Sequence, residues 1–242
     1  MKTYFTFDGI KVPVRIKKDW RSSVRFSITK TSINIIVPKH YVGALLTNEI
    51  EKLQAWSANE FKKNPELFSR FRAIVYEDGE FIKIYDSLFQ LNIIKESRKT
   101  ASAKISRDQK VIIHIPSGLD QQHANTLIGK VLSRVFGNYF TPQILDRVRY
   151  YNDLHFHEHI ENVRLKNNAS NWGSCSSDKN INLSSRLLFA PQEVIDYVIV
   201  HELSHLKEMN HSPAFWNIVR NIMPDYKEKE KWLDTHGESL RF

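Results

Sequence analysis

The chain has 242 residues, 41% of them hydrophobic and 26% charged, which excludes a disordered polypeptide and leaves enough length to bury a real core. Thirty-five Lys and Arg outnumber 27 Asp and Glu, giving a net charge of +8 and a pI near 9.4; this fits anionic partners such as nucleic acid, nucleotides or acidic peptides, or else a solvated basic surface. The lone Cys175 excludes an internal disulfide, no run approaches the ~18–20 apolar residues of a membrane span, and the opening MKTYFTFDGIKV lacks a signal-type apolar core, so a soluble, cytoplasmic protein without a membrane partner is expected.

In chain order, residues 24–29 (VRFSIT) and 33–37 (INIIV) are β-branched runs joined by a short link, a hairpin pattern that Pro38 ends. Residues 41–62 follow with helical spacing, Leu45, Ile50, Leu53 and Trp56 falling near one face. Residues 81–85, 88–94 and 102–115 read as further strands. "INIIVP" followed by an amphipathic helix is echoed by "VIIHIP" followed by another; the resemblance between any two strand-to-helix units explains this without a duplication. The expected organisation is α+β, with a β-rich N-terminal domain over 1–118 and a second domain, mixed helix and strand, over 119–242.

Residues 121–140 read as a helix, with Thr141-Pro142 a cap or kink before a second helical stretch to about 153. Residues 160–167 and 179–188 alternate like strands. They flank a turn-rich segment, Asn171-Trp172-Gly173-Ser174-Cys175-Ser176-Ser177-Asp178. Pro191 then suits the first turn of a helix, with Glu193 and Asp196 near its positive end. Val194, Ile195, Val198 and Ile199 carry that helix, largely buried, into "VIVHELSHLKEMNH" (198–211).

On a helix, His201 and His205 are four residues apart and project from one face. Two imidazoles at that spacing can share Zn²⁺, which takes about four ligands, and Glu202 beside them is placed as a general base. His211 would lie about 240° away if the helix continued. A stop around Met209-Asn210, reinforced by Pro213, lets the chain turn back and bring the third imidazole to the ion. The spacing matches the metzincin pattern except at its glycine, which is Glu208 here. The expected site is therefore His201, His205 and His211 as metal ligands with Glu202 as the catalytic residue.

These residues also carry a family resemblance. Trp172-Gly173-Ser174-Cys175-Ser176, Ile181-Asn182-Leu183, Arg186-Leu187, Ala190-Pro191, "IDYVIVHELSHL", Asn210-His211-Ser212, Phe215-Trp216, Pro224-Asp225-Tyr226 and "KWLDTHG" resemble the YgjP-like metallopeptidases, relatives of SprT-type zincins. The resemblance is specific over roughly 165–237. It implies a zinc-dependent hydrolase with the ligands and base just named, and makes the second expected domain, 119–242, a zincin-like metal-hydrolase domain. Two features depart from the family pattern: Asn171 stands where an arginine usually precedes Trp-Gly-Ser-Cys, and "KIYDSLFQL" replaces a Tyr-Leu-Gly segment.

The expected reaction is hydrolysis of peptide bonds in a peptide or protein, the metal activating a water whose proton Glu202 accepts. The alternative is a nucleotide pyrophosphohydrolase using the same site, which suits the basic surplus. A nucleic-acid-associated module with a structural metal is a third reading, against which Glu202 argues. Tyr226, His236 and Arg186 are candidate oxyanion donors, and the 179–188 strand could hold an extended substrate at a sheet edge. His155, His157 and His159 would share a face on a strand and could form a second metal site, or serve as a polar connector. Cys175 more simply shapes its turn, Trp172 anchors that turn, and Phe215 and Trp216 read as core. Lys17-Lys18-Asp19-Trp20-Arg21 mixes basic and aromatic residues as nucleic-acid binders do.

Overall fold

A computed structural model of the protein describes residues 3–29, 31–69, 71–72, 74–168 and 170–242. The chain divides into two compact units, Met1–Ala73 and Ile74–Phe242. The first holds strands β1 (Thr3–Phe7), β2 (Ile10–Asp19), β3 (Arg25–Ile28) and β4 (Ile33–Pro38), then helices α1 (Ala44–Lys63) and α2 (Pro65–Ser69). The hairpin of residues 24–37 is present as β3 and β4, but β1 and β2 precede it. β2 carries Lys11, Arg15, Lys17 and Lys18 on a strand with only half its residues facing the core, which hides its period in the sequence.

The second unit opens with β5 (Phe81–Ile84), β6 (Ser87–Glu96), β7 (Ser102–Ile105) and β8 (Lys110–Pro116), followed by α3 (Gln121–Tyr151). The first sheet runs β1-β2-β4-β3 and this one β5-β6-β8-β7. Both join an antiparallel hairpin to a parallel central pair, β2 with β4 and β6 with β8, and close with a second antiparallel edge. The registers coincide: Asp19 meets Pro38 and Glu96 meets Pro116 at the ends of the parallel pairs. Buried Val12, Val14, Ile33 and Ile35 of the first sheet match buried Phe89, Leu91, Val111 and Ile113 of the second. The echo of "INIIVP" in "VIIHIP" is thus one topology built twice, where independent strand-to-helix units were expected.

The expected domain boundary at 118/119 falls between β8 and α3, inside the second unit. Its core explains why: Phe89 packs edge-on against Phe136 of α3, and Ile84, Leu91, Val111 and Ile113 join α3 and the later helices in one apolar cluster. Cutting there would expose that whole interface. α3 also runs through Pro142 without interruption. The carbonyl that Pro142 cannot serve belongs to Asn138, an exposed residue, so water can satisfy it and the helix continues.

Beyond α3, a π-turn (Asn152–Phe156) leads to β9 (Asn162–Lys166), β10 (Gly173–Cys175) and β11 (Asn180–Ser184), ordered β10-β11-β9. A 3₁₀ turn (Ser185–Phe189) precedes α4 (Gln192–Ser204), α5 (Pro213–Ile222) and α6 (Tyr226–His236). α4 is buried along nearly its whole length. Arg147 of α3 fixes it by donating from Nε (2.9 Å) and Nη2 (2.5 Å) to the buried Asp196 carboxylate. Among the described residues no helix is long and apolar enough to cross a membrane.

Candidate active site

The histidines expected to converge do so. His201 lies in the last turn of α4, His205 just past its end, and His211 ahead of α5, and one ring nitrogen from each falls within 4.8 Å of the other two. The His211 and His201 Nε2 atoms are 3.0 Å apart. The turn differs from the expected one. α4 ends at Ser204, not near Met209-Asn210, and the chain tightens through i→i+3 bonds from His205 to Glu202, Leu206 to Leu203 and Lys207 to Ser204. Ser212 caps α5, and Pro213 is that helix's first residue instead of a stop for α4.

Phe215, fully buried, supports all three rings, with centroid separations of 4.9, 4.6 and 4.8 Å to His201, His205 and His211. The His205 Nδ1 lies 3.2 Å from the Glu208 carbonyl, which orients Nε2 toward the other imidazoles. Burial, together with the two neighbouring histidines, pushes the His201 pKa down to about 3. Its ring is neutral at physiological pH, the form a cation requires. The donors fit a borderline ion such as Zn²⁺ in number and type.

Glu202 is only 4% exposed, and its Oε2 has no hydrogen-bond partner among the described residues. Burial raises its pKa to about 8. An unpaired buried carboxyl costs stability, which makes Glu202 a candidate for chemistry. It packs against Gly173 of β10, where an added Cβ would overlap the Glu202 carboxyl group. Gly173→Ala is therefore expected to displace the carboxylate and lower turnover by about 10²-fold, the cost of an ångström-scale misplacement. Circular dichroism and metal content should stay unchanged; wild-type kinetics in this variant would remove the packing constraint.

The imidazoles and Glu202 open onto a cleft of about 530 Å³, walled by β10, by Tyr197 and Val198 of α4, and by Glu230, Leu233 and Asp234 of α6. Tyr197 was missed in the sequence, although its spacing of four residues before His201 puts it on the same helix face. Its hydroxyl has no hydrogen-bond partner among the described residues, and burial pushes its pKa up. None of the three oxyanion candidates lines this cleft. Arg186 lies over the Trp172 ring and donates to the carbonyls of Leu240 (2.5 Å) and Gly237 (2.6 Å). His236 Nδ1 lies 3.0 Å from the Trp232 carbonyl, and Tyr226 stacks on Trp216.

The 179–188 segment is also placed differently. Its strand, β11, is central in its sheet, so the free edge facing the cleft is β10. Burial and then the Glu202 charge raise the Cys175 pKa to about 11, leaving a thiol that is no nucleophile. His155, His157 and His159 do not lie on a strand: His155 stacks on Tyr151, His157 adopts a left-handed conformation at φ 53°, and His159 approaches Glu161. Among the described residues, His201, His205 and His211 are the one group of this kind that could hold a metal.

Three converging imidazoles beside a buried carboxyl, open to a cleft with a free strand edge, are the kind of donor set that a metal-dependent hydrolase uses. The model of the YgjP-like metallopeptidase domain matches residues 22–236, and the chain belongs to that family. Over 86 residues it is 26% identical to the UTP pyrophosphatase of Escherichia coli (strain K12), covering 36% of this chain and 52% of that protein. The chain thus spans about half the length of the curated relative it matches. Two crystal structures of metallopeptidase zymogens are also similar. Abylysin of Pyrococcus abyssi is 26% identical, covering 37% of this chain and 90% of that one, with a TM-score of 0.35. Jannalysin of Methanocaldococcus jannaschii is 29% identical, covering 37% and 92%, with a TM-score of 0.33.

Proposed function

We propose that the protein is a zinc-dependent peptidase in which His201, His205 and His211 hold the ion and Glu202 is the catalytic base. When bound, Zn²⁺ supplies Lewis acidity toward a carbonyl oxygen and lowers the pKa of water to about 7. Glu202 takes the proton of the attacking water and passes it to the leaving amine. Its raised pKa suits that exchange near neutrality, because a base works best when matched to the operating pH. The Tyr197 hydroxyl donates to the oxygen that gains charge as the carbonyl is attacked. An extended substrate adds to the free edge of β10, and Gly173 keeps that strand close to the carboxylate.

The convergence of three imidazoles beside an unpartnered buried carboxyl carries this reading. The cleft's charge favours a peptide over a nucleotide. Glu230 and Asp234 line it, and among the described residues no Lys or Arg does, whereas a triphosphate calls for cationic donors. The pyrophosphohydrolase alternative draws its support from the likeness to the UTP pyrophosphatase.

Metal analysis and a paired assay test the proposal. The purified protein should carry about one zinc per chain, and His211→Ala should lose it; full occupancy in that variant would remove His211 as a ligand. Fluorogenic peptides should be cleaved and cleavage abolished by chelator. Chelator-sensitive release of pyrophosphate from UTP, with every peptide left intact, would replace this reading with the alternative.

A further inference from the structure

The excess positive charge is not spread over the chain. Residues 1–73 contain 14 Lys and Arg against six Asp and Glu, a surplus of eight, while residues 74–242 contain 21 of each. The unit that carries the candidate active site is electrically balanced, and the whole surplus belongs to the other.

Within that first unit the charge has an address. α1 covers one face of the sheet, burying Phe5, Val12, Val14, Ile33 and Ile35 with Leu53 and Phe61. Strand alternation puts Lys11, Arg15 and Lys17 of β2 on the opposite face. The register places Arg25 in the same row as Lys17, across Ile36. All four are exposed. Among the described residues Lys11, Arg15 and Arg25 have no carboxylate partner, and Lys17 meets Asp19 at 3.2 Å. At the end of β2, Trp20 is 83% exposed and the Lys39 ammonium lies 3.8 Å over its ring.

The duplicated topology shows that the fold does not require this surface. Matched through the registers, Lys11, Arg15 and Lys17 correspond to Leu88, Asn92 and Ile94 of the second sheet, and Arg25 to Ser102. One residue beyond those pairs, Trp20 and Lys39 correspond to Ser97 and Ser117. The first copy carries cations and an exposed indole where the second carries none of them.

We propose that this open sheet face binds single-stranded nucleic acid. Lys11, Arg15, Lys17 and Arg25 contact phosphates along the strand, and the Trp20 ring stacks on a base. A basic strand lattice beside an exposed aromatic ring is the chemistry such ligands use. A single strand is favoured over a lipid surface because one exposed ring beside a row of cations matches a base joined to its phosphates, whereas bilayer insertion calls for a larger apolar patch. The proposal stands independently of the peptidase reading.

The test is fluorescence anisotropy of the full chain with a labelled oligothymidylate. Four phosphate contacts predict a slope of log K against log salt of about −3, with each of Lys11→Gln, Arg15→Gln, Lys17→Gln and Arg25→Gln removing roughly 0.7. Trp20→Ala should weaken binding by about tenfold or more and leave the slope unchanged. Lys83→Gln and Lys104→Gln, on the second sheet, should leave binding as it was. These positions are exposed, so melting temperatures should match wild type. Equal losses from the two sheets would overturn the proposal, reducing it to bulk charge. Tighter binding to a duplex with Trp20→Ala silent, or capture of phosphatidylserine vesicles with the oligonucleotide left free, would overturn it as well.

Discussion

Glu202→Gln is expected to keep its full complement of metal while lowering kcat by about 10²–10⁴-fold, the range for losing a positioned general base. Glutamine has the same shape and fits the same space against Gly173, so the imidazoles need not move. It cannot accept the proton, and nothing nearby replaces it. Glu230 and Asp234 face the same cleft from α6 but are exposed, whereas Glu202 is buried beside the imidazoles. A loss confined to kcat, with KM little changed, marks an interaction made during reaction. Metal analysis with steady-state kinetics on one peptide decides the matter: a fully loaded variant turning over at the wild-type rate sinks the assignment.

Phe215→Ala is expected to be the most destabilising single change near the site, by about 3–5 kcal/mol in denaturant unfolding. The ring is fully buried and touches His201, His205, His211 and Trp216. Its removal leaves a cavity directly beneath the three imidazoles. Metal affinity should fall with stability, because the rings lose the surface that holds their orientation. Phe215→Leu should recover most of both. A stable alanine variant that still binds metal tightly would show that the imidazoles are positioned by the turn alone.

The sequence made the candidate site legible because its chemistry is local. His201, Glu202 and His205 need only helical periodicity, and Pro191 marks where the helix begins. The end of that helix was less legible. Pro213 reads equally well as a breaker and as a first-turn residue, and the structure uses it as the latter. Tyr197 left a usable signal in its spacing from His201. The exclusion of Arg186, His236 and Tyr226 from the cleft left none, since their partners, Leu240, Gly237, Trp232 and Trp216, depend on tertiary packing. Strand order was equally hidden: nothing in "NINLS" tells a central strand from an edge. The domain boundary was misjudged because composition changes at α3, while the apolar face of β5–β8 commits that sheet to the helices after it. β2 was missed because Lys11, Arg15, Lys17 and Lys18 disguise the strand as loop, and β1, five residues long, is its hairpin partner.

The three imidazoles lie close together along the chain as well as in space. A cation joining His201, His205 and His211 would bridge only the end of one helix and the turn leading to the next. Closing so short a loop takes little freedom from the unfolded chain, so the ion stabilises the fold through its affinity for the folded site. The large apolar cluster around α3 and α4 is complete without it. Metal depletion should therefore silence the protein without unfolding it, confining any increase in amide exchange to positions 205–212, and activity could follow cellular metal supply reversibly while the folded chain persists.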